Sequence, residues 1–250
     1  MPSSSWQIQN RPTKNLKHWG LVTHLCLIGL ISLLISLPPA LAQPATTRGY
    51  APTALPTTIP IFPLSDVMLF PRSSRPLHIF EQRYREMVAD ALEGNRLIGM
   101  VMLEPGYETD YQGTPPVFPI GCVGVITEAE ELPDGRFNIV LGGLTKFRIT
   151  SEDYSRAYRT AHIEAIPEQL NRSDITELSD LREELAALIP IAIPGLQIPD
   201  GLGDEELVNG IAQLIDIAPF NRLGLLEQPG PLERAQALID LLYIRASLPR

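Results

Sequence analysis

Cysteine is almost absent from this chain of 250 residues, which contains only Cys26 and Cys122. Cys26 lies in an apolar run near the N-terminus, and loss of that run would leave Cys122 without an intramolecular partner. A disulfide framework is therefore excluded. We expect Cys122 to be a small, buried apolar side chain on a strand rather than a reactive thiol.

Motifs that bind metals or nucleotides, or that present a nucleophile, are also absent. The sequence has no H-x-H, C-x-x-C or H-E-x-x-H pattern, no G-x-x-x-x-G-K-S/T loop and no G-x-S-x-G elbow. Each pattern sets its functional groups at the spacing that its chemistry needs. We therefore predict no catalytic residues, no cofactor and no metal. His78 and His162 are interpreted as hydrogen-bonded structural residues.

Positive charge is scarce, and the formal net charge is −9. No acidic residue precedes Gln43, and the basic residues before it are Arg11, Lys14 and Lys17. The part of the chain from Gln43 onward therefore carries 17 basic and 29 acidic residues, a net charge of −12. Because such a field repels phosphate backbones, we do not expect a nucleic acid as a partner.

The N-terminal part of the chain has the order of an export signal. Residues 1–20 are polar with a positive balance, residues 21–37 form an uncharged apolar run, and Ala-Leu-Ala follows two prolines. This order is typical of a secretory signal peptide, which we predict over residues 1–42, with cleavage between Ala42 and Gln43. The expected location is the periplasm or another extracytoplasmic compartment.

The alternative is a membrane anchor formed by residues 21–37, because 17 residues are at the short limit for a spanning helix. Membrane association is expected only if this segment stays uncleaved. Residues 43–58 are rich in Pro, Thr and Ala without periodicity, and we predict a disordered spacer there.

Short apolar segments predict a strand-rich region with one helix. Ile59–Leu64 is expected to be an edge strand or an extended entry, because its two prolines cannot donate to a ladder. A helix is predicted over Phe80–Gly94, with an apolar stripe that starts at a buried Phe80. The further predicted strands are Leu97–Leu103, Ile120–Leu132, Arg136–Leu141, Leu144–Thr150 and Arg156–Ile166. Strands in this number around one helix suggest a small closed or half-closed β-barrel.

The character of the sequence changes after Pro167. Asp174 and Glu177 have the spacing of a capping box before an apolar helical pattern. After a Pro- and Gly-rich linker over 190–203, further helices are expected to begin at Asp204 and Pro231. The C-terminal third is therefore predicted to be helical.

Four short motifs lie between Phe62 and Met87: Phe62-Pro63-Leu64, Leu69-Phe70-Pro71, Pro76-Leu77-His78-Ile79-Phe80-Glu81 and Arg83-Tyr84-Arg85-Glu86-Met87. They resemble the opening of the N-terminal, substrate-binding domain of the Lon protease family. The segments G-C-V-G-V-I-T, L-P-D-G-R-F-N-I-V-L-G-G-L-T-K-F-R-I and L-L-E-Q-P-G-P-L-E-R-A-Q-A-L-I-D-L-L are similar to its central β segment and its helical end. The resemblance covers roughly residues 59–247.

The resemblance implies an α+β fold, with a PUA-like β pseudo-barrel over 59–167 and a C-terminal α-helical bundle over 168–250. The family's ATPase and protease segments have no counterpart, so a stand-alone member is expected. Two departures are visible. Arg72-Ser73-Ser74 stands where the family usually has a glycine turn, and Lys146 stands where an arginine usually precedes the phenylalanine.

The function that the resemblance implies is non-catalytic binding of unfolded or extended polypeptide, as an adaptor or holdase, with a protease or chaperone as a further partner. Sheet edges and apolar grooves suit this task, because backbone pairing ignores sequence. The candidate contact residues are Phe70, His78, Glu81, Arg83, Arg85, Tyr107 and Phe118.

Alternatives remain for the function and for its residues. Ordinary ion pairing on an exposed face also explains the charged side chains of the predicted helix. Glu128, Glu130 and Glu131 could be paired catalytic carboxylates, but we interpret them as a solvent-exposed acidic rim. The chain could instead be an interaction module for one fixed protein partner, or a hydrolase with an unrecognised site.

Overall fold

A computed structural model describes residues 55–107, 113–196, 198–199 and 201–247. The predicted signal peptide, its cleavage site and residues 43–54 of the predicted spacer lie outside these ranges. None of the helices within them combines the length and the apolar character that a membrane span requires.

The described residues form six strands followed by helices, with one helix inserted among the strands. The elements are β1 (Thr58–Leu64), β2 (Ser74–Ile79), α1 (Gln82–Glu93), β3 (Leu97–Leu103), β4 (Val117–Glu131), β5 (Phe137–Asp153), β6 (Thr160–Ile166), α2 (Arg172–Ala192), α3 (Asp204–Leu214), α4 (Pro219–Glu227) and α5 (Pro231–Ser247). This arrangement confirms the predicted α+β fold. The strand β2 and the helix α4 were not expected from the sequence pattern. The two strands predicted around Gly142-Gly143 form the single strand β5.

Five of the strands close into a ring. β1 pairs with β3 in parallel and with β6 antiparallel, and the pairs β3–β4, β4–β5 and β5–β6 are antiparallel. β2 lies outside the ring and pairs with the first part of β5. The prediction that β1 is an edge strand was therefore wrong. Its first half pairs with β6 and its second half with β3, so each half has one open side where a proline nitrogen is tolerated.

The interior of the ring is filled by apolar side chains around Phe147, which is fully buried. A Cβ built on Gly99 or Gly121 would lie 2.8 Å from Cζ of this ring. The two glycines therefore leave the space that the ring occupies, which explains glycine in the middle of two buried strands.

A second core lies between the outside of the ring and the helices. α1 contributes Tyr84, Met87, Val88 and Ala91 to it. Phe80, expected at the head of this stripe, is instead 62% exposed. The helix begins only at Gln82, and the preceding residues still alternate as in a strand, so Ile79 points inward and Phe80 outward.

The C-terminal helices form their own packed layer. α2 and α5 run side by side in the same direction, linked by Gln236 to Glu177 (3.1 Å) and by Tyr243 to Glu184 (2.8 Å). α2 starts earlier than expected and continues through Pro190 into the predicted linker.

The cap of α2 differs from the predicted one. The capping box consists of Asn171 and Asp174, not of Asp174 and Glu177. The Asn171 side chain accepts from the backbone N–H of Ser173 (2.8 Å) and of Asp174 (3.1 Å), and the Asp174 carboxylate accepts from the Asn171 N–H (3.0 Å). Asparagine is as good an N-cap as serine or aspartate, so the earlier start satisfies the same orphan donors.

The turn between β1 and β2 shows the cost of the missing glycine. Arg72 adopts a left-handed backbone with φ of 55°, a conformation that favours glycine. Gln213 of α3 stabilises the turn: it accepts from the Ser73 hydroxyl (2.7 Å) and donates to the Ser74 carbonyl (2.8 Å). The helical layer thereby compensates locally for the absent glycine.

Four polar side chains, Lys146, Glu168, Asn209 and Arg234, meet inside the protein and are here named the junction cluster. Glu168 lies 3.0 Å from Lys146 Nζ and also pairs with Arg234. Arg234 donates to Asn209 Oδ1 (2.6 Å) and to the Leu225 carbonyl (2.8 Å). Desolvation lowers the pKa of Lys146, and the Glu168 carboxylate opposes that shift.

The position of the junction cluster explains its role. Its members come from β5, from the connection between β6 and α2, from α3 and from α5, so the cluster fastens the helical layer to the ring. Lys146 keeps the charge of the family's usual arginine but makes one ion pair and donates to the carbonyls of Gln228 and Pro229.

We predict that Glu168→Gln lowers the free energy of unfolding by about 3–5 kcal/mol, because it leaves two buried cations without a counter-charge. Urea unfolding measures the change. Glu164→Gln, at an exposed position on β6, is the matched control and should change the value by less than about 0.5 kcal/mol. A loss below about 1 kcal/mol for Glu168→Gln would contradict a stabilising role for the cluster.

Candidate functional site

Two concave surfaces contain residues of interest. The first, here named the cleft, has a volume of about 260 Å³ and lies beside the start of α1. The second, named the groove, has a volume of about 530 Å³ and lies on the three-stranded extension formed by β2, β5 and β4.

The cleft is lined by arginines that stack on tyrosines. The guanidinium carbons lie 4.7 to 5.8 Å from the ring centres in three pairs: Arg83 with Tyr84, Arg156 with Tyr158, and Arg159 with Tyr154. At such distances a cation is attracted to the face of the ring. The pairs give the cleft stiff, aromatic walls.

The charges of the cleft are compensated. Each arginine has a carboxylate partner: Glu81 for Arg83, Asp90 for Arg156 and Glu152 for Arg159. Tyr158 donates to Asp90 (2.6 Å), and burial, followed by this hydrogen bond, raises the pKa of Tyr158 to about 12. Tyr158 is therefore a neutral donor near pH 7, and the cleft is close to electrically neutral.

The groove is formed by the solvent face of the extension. Cross-strand register places Pro76 beside Val140 and Glu128, and His78 beside Asn138 and Glu130. The opposite face carries buried Ile79, Ile139 and Leu141, so the alternation of side chains leaves these two rows pointing outward. The groove is lined by Pro76, Leu77, His78, Glu128, Ala129, Glu130, Asn138, Ile139 and Val140.

A hydrogen-bonded ladder crosses the floor of the groove. His78 Nδ1 lies 2.8 Å from Asn138 Oδ1, and Asn138 Nδ2 donates to Glu130 (3.0 Å). His78 Nε2 lies 3.2 Å from a nitrogen of Arg136, which can only donate. Both ring nitrogens of His78 thus have a hydrogen-bonding partner, so His78 acts as a structural link between β2 and β5.

An exposed aromatic side chain stands at the end of the groove. The Phe80 ring is 62% exposed, and its centre lies 6.4 Å from the His78 ring with an angle of 24° between the planes. Exposing a phenylalanine of this size offers apolar area that the core does not use. Together with Pro76, these rings make an apolar side wall.

The structure separates the sequence-predicted contact residues. His78 lies in the groove, and Arg83 lines the cleft beside Glu81. Phe70 is fully buried and its ring lies 5.5 Å from the Arg234 guanidinium, so we do not retain it as a contact residue.

The remaining candidates have other surroundings. Arg85 lies against Gly135 in the turn between β4 and β5, where a Cβ would overlap its guanidinium, so it is enclosed by the hairpin rather than presented to a ligand. Tyr107 is exposed outside both surfaces, and the half-buried Phe118 packs 6.2 Å from Phe220.

Sequence reasoning missed two residues that line the groove and one that lies beside it. Phe80 was assigned to the core, and Asn138 and Val140 were not considered. A signal was present in Pro76–Phe80, because polar and apolar residues alternate over Leu77–Ile79 as in a strand, but no strand was predicted there and Phe80 was taken as the start of a helix. Glu128, Glu130 and Glu131 are exposed, as predicted.

The thiol and imidazole groups discussed next do not form a catalytic or metal-binding arrangement in the described part of the chain. Cys122 is fully buried as expected, and desolvation raises the pKa of its thiol. His162 lies 3.0 Å from the Thr58 hydroxyl. No three His, Cys, Asp or Glu side chains of the described ranges converge as metal ligands would.

Comparisons with known proteins agree on the family. A family model described as the ATP-dependent protease La (Lon) substrate-binding domain matches residues 58–243. Lon protease of Dictyoglomus thermophilum is 30% identical over 178 residues, which cover 67% of this chain and 21% of that protein. Lon protease of Desulfovibrio desulfuricans is 26% identical over 214 residues, which cover 84% of this chain and 24% of that protein. The aligned part is thus about a fifth to a quarter of these curated relatives.

Two solved structures share the fold. The Lon N-terminal domain protein from Xanthomonas campestris matches with a TM-score of 0.51 and 21% identity over 74% of this chain and 98% of that one. The N-terminal domain of Mycobacterium avium complex Lon protease matches with a TM-score of 0.57, 16% identity and the same coverage. With the family model matching most of the chain, the protein belongs to the Lon substrate-binding, N-terminal domain family.

Proposed function

We propose that this protein binds unfolded or extended polypeptide without catalysing a reaction, and that the groove is the contact surface. The observation that carries the proposal is the exposed Phe80 beside an open, concave sheet face, in a member of a substrate-binding family. Exposed apolar area next to polar groups is typical of a protein-binding surface.

The shape of the groove favours an extended ligand. It runs along β2, a strand of 6 residues, which corresponds to about 20 Å of extended chain. The cleft is smaller, and its arginines already have carboxylate partners. The groove is therefore the better surface for a polypeptide segment.

Binding is expected on the face of the sheet rather than by strand addition to β2. Pro76 has no N–H to offer to an added strand, and Gln213 already donates to the Ser74 carbonyl. Proline and occupied backbone groups are the usual protection of edge strands. Side-chain contacts then supply the affinity, in place of the sheet-edge pairing expected from the sequence.

The absence of catalysis is supported by what the chain matches. Its similarity to Lon proteases is confined to the substrate-binding part, and the region that aligns is a fifth to a quarter of their length. The buried thiol of Cys122 and the hydrogen-bonded ring of His78 are poor candidates for a nucleophile and a base.

We also propose that the protein acts outside the cytoplasm. The support is the order of positive, apolar and Ala-Leu-Ala segments over residues 1–42. An exported protein is separated from ATP and from cytoplasmic ATP-driven proteases, so a holdase or adaptor role fits this location better than delivery to such a protease.

We predict that the purified protein binds a denatured polypeptide with a roughly micromolar dissociation constant. It should bind the folded form of the same polypeptide much more weakly. The ordering of a flexible client limits the affinity. Fluorescence anisotropy with one labelled client in both forms is the measurement. Equal binding of the two forms would exclude polypeptide holding, and one stoichiometric partner in a pull-down would then indicate a fixed-partner module.

Phe80→Ala should weaken binding of the denatured client at least about fivefold, since an aromatic contact at an interface is worth about 1 kcal/mol or more. It should change the free energy of unfolding by less than about 1 kcal/mol, because the ring is exposed. Phe220→Ala, another exposed phenylalanine outside the groove, is the matched control. Unchanged affinity for Phe80→Ala would remove the groove as the contact surface.

Protein isolated from its native host should begin at Gln43. The expectation follows from the cleavage pattern after Ala42. N-terminal sequencing with cell fractionation is the test, and a soluble cytoplasmic protein that retains Met1 would refute export.

A further inference from the structure

We infer that the groove selects extended segments in which basic and apolar residues alternate. This inference rests on the proposed function and specifies the client. It follows from the different chemistry of the two sides of the groove.

One side of the groove is acidic and the other apolar. Glu128 and Glu130 follow each other on one face of β4. Pro76 and His78 follow each other on β2, and Phe80 comes directly after this strand with its ring beside that of His78. β5 lies between the two strands, so the two sides are about 9.5 Å apart. This width accommodates one extended segment.

Neither of the two glutamates forms an ion pair with another described residue. Glu130 accepts a hydrogen bond from the neutral amide of Asn138, and the described residues provide no ion pair for Glu128. Arg136, the arginine of the ladder, is paired with Asp134 at 2.6 Å. Both carboxylates are therefore available to a basic ligand.

An extended segment in the groove directs successive side chains to opposite sides. Side chains two residues apart in the ligand repeat at about 6.6–6.8 Å, which is also the repeat of Glu128 and Glu130 along their strand. Basic side chains at every second position therefore meet the glutamates, and the apolar side chains between them meet Pro76 and Phe80. A fully apolar segment would desolvate the carboxylates, and an acidic one would be repelled.

The test uses three labelled peptides of equal length. One alternates lysine and valine, one contains the same residues as a lysine block and a valine block, and one alternates glutamate and valine. At low salt we expect the alternating lysine–valine peptide to bind about fivefold more tightly than the block peptide, and the glutamate–valine peptide not to bind. Added salt should reduce the preference. Light scattering confirms that each peptide is monomeric under the conditions used.

A double variant, Glu128→Gln with Glu130→Gln, should abolish the preference and lower affinity for the alternating peptide to that for the block peptide. The matched control is Glu164→Gln with Glu183→Gln, two exposed glutamates outside the groove. It changes the net charge by the same amount, so it separates a local contact from the general negative field. The control should retain the preference.

The outcomes distinguish the inference from the proposed function. If the denatured client binds but the alternating peptide is not preferred, or the groove variant keeps the preference, the alternating pattern is overturned while polypeptide binding stands. If the control variant loses the preference equally, the general field explains it and the groove does not. If neither client nor peptide binds, the proposed function itself fails.

Discussion

Glu168 is the negative charge on which the packing of the two layers depends. It lies between Lys146 of the ring and Arg234 of the last helix, with its side chain 7% exposed. Buried charges are tolerated only when their partners are all in place. Because the four members of the junction cluster come from four segments of the chain, the buried charges find their partners only when the helices pack on the ring. Phe70 packs on Arg234, and so the segment that leads into β2 is fixed by the same cluster.

The groove inherits its rigidity from this arrangement. Gln213 holds the turn before β2 from the helical side, and Arg85 of α1 packs against Gly135 in the β4–β5 turn. The ladder of Arg136, His78, Asn138 and Glu130 then ties the three strands across their exposed face. A platform that is fixed before binding does not lose conformational entropy on binding, so that loss falls on the client alone.

The sequence alone predicted the class of fold, the family and most of the strands and helices, because periodicity and local motifs carry that information. It failed where structure depends on partners distant in the chain. The closing pair β1–β6, the junction cluster and the burial of Phe70 join distant parts of the chain: Thr58 pairs with His162, Glu168 with Arg234, and Phe70 packs on Arg234. The prediction that Phe80 is buried failed for a different reason. Phe80 lies where the strand period changes to the helical period, and a shift of one residue in that boundary moves its side chain from the core to the surface. The groove was invisible because its two sides belong to strands that are not consecutive.

The proposed pattern of alternating basic and apolar residues would itself favour unfolded over folded clients. In a folded sheet, a strand with this pattern buries its apolar side chains in the core and shows only its basic ones. The groove requires both sets from the same segment at once: the basic side chains for Glu128 and Glu130, and the apolar ones for Pro76 and Phe80. Only a segment released from its own sheet can offer both. Discrimination against folded proteins then needs no separate sensing device, because it follows from the two chemically different sides of a groove that is one chain wide.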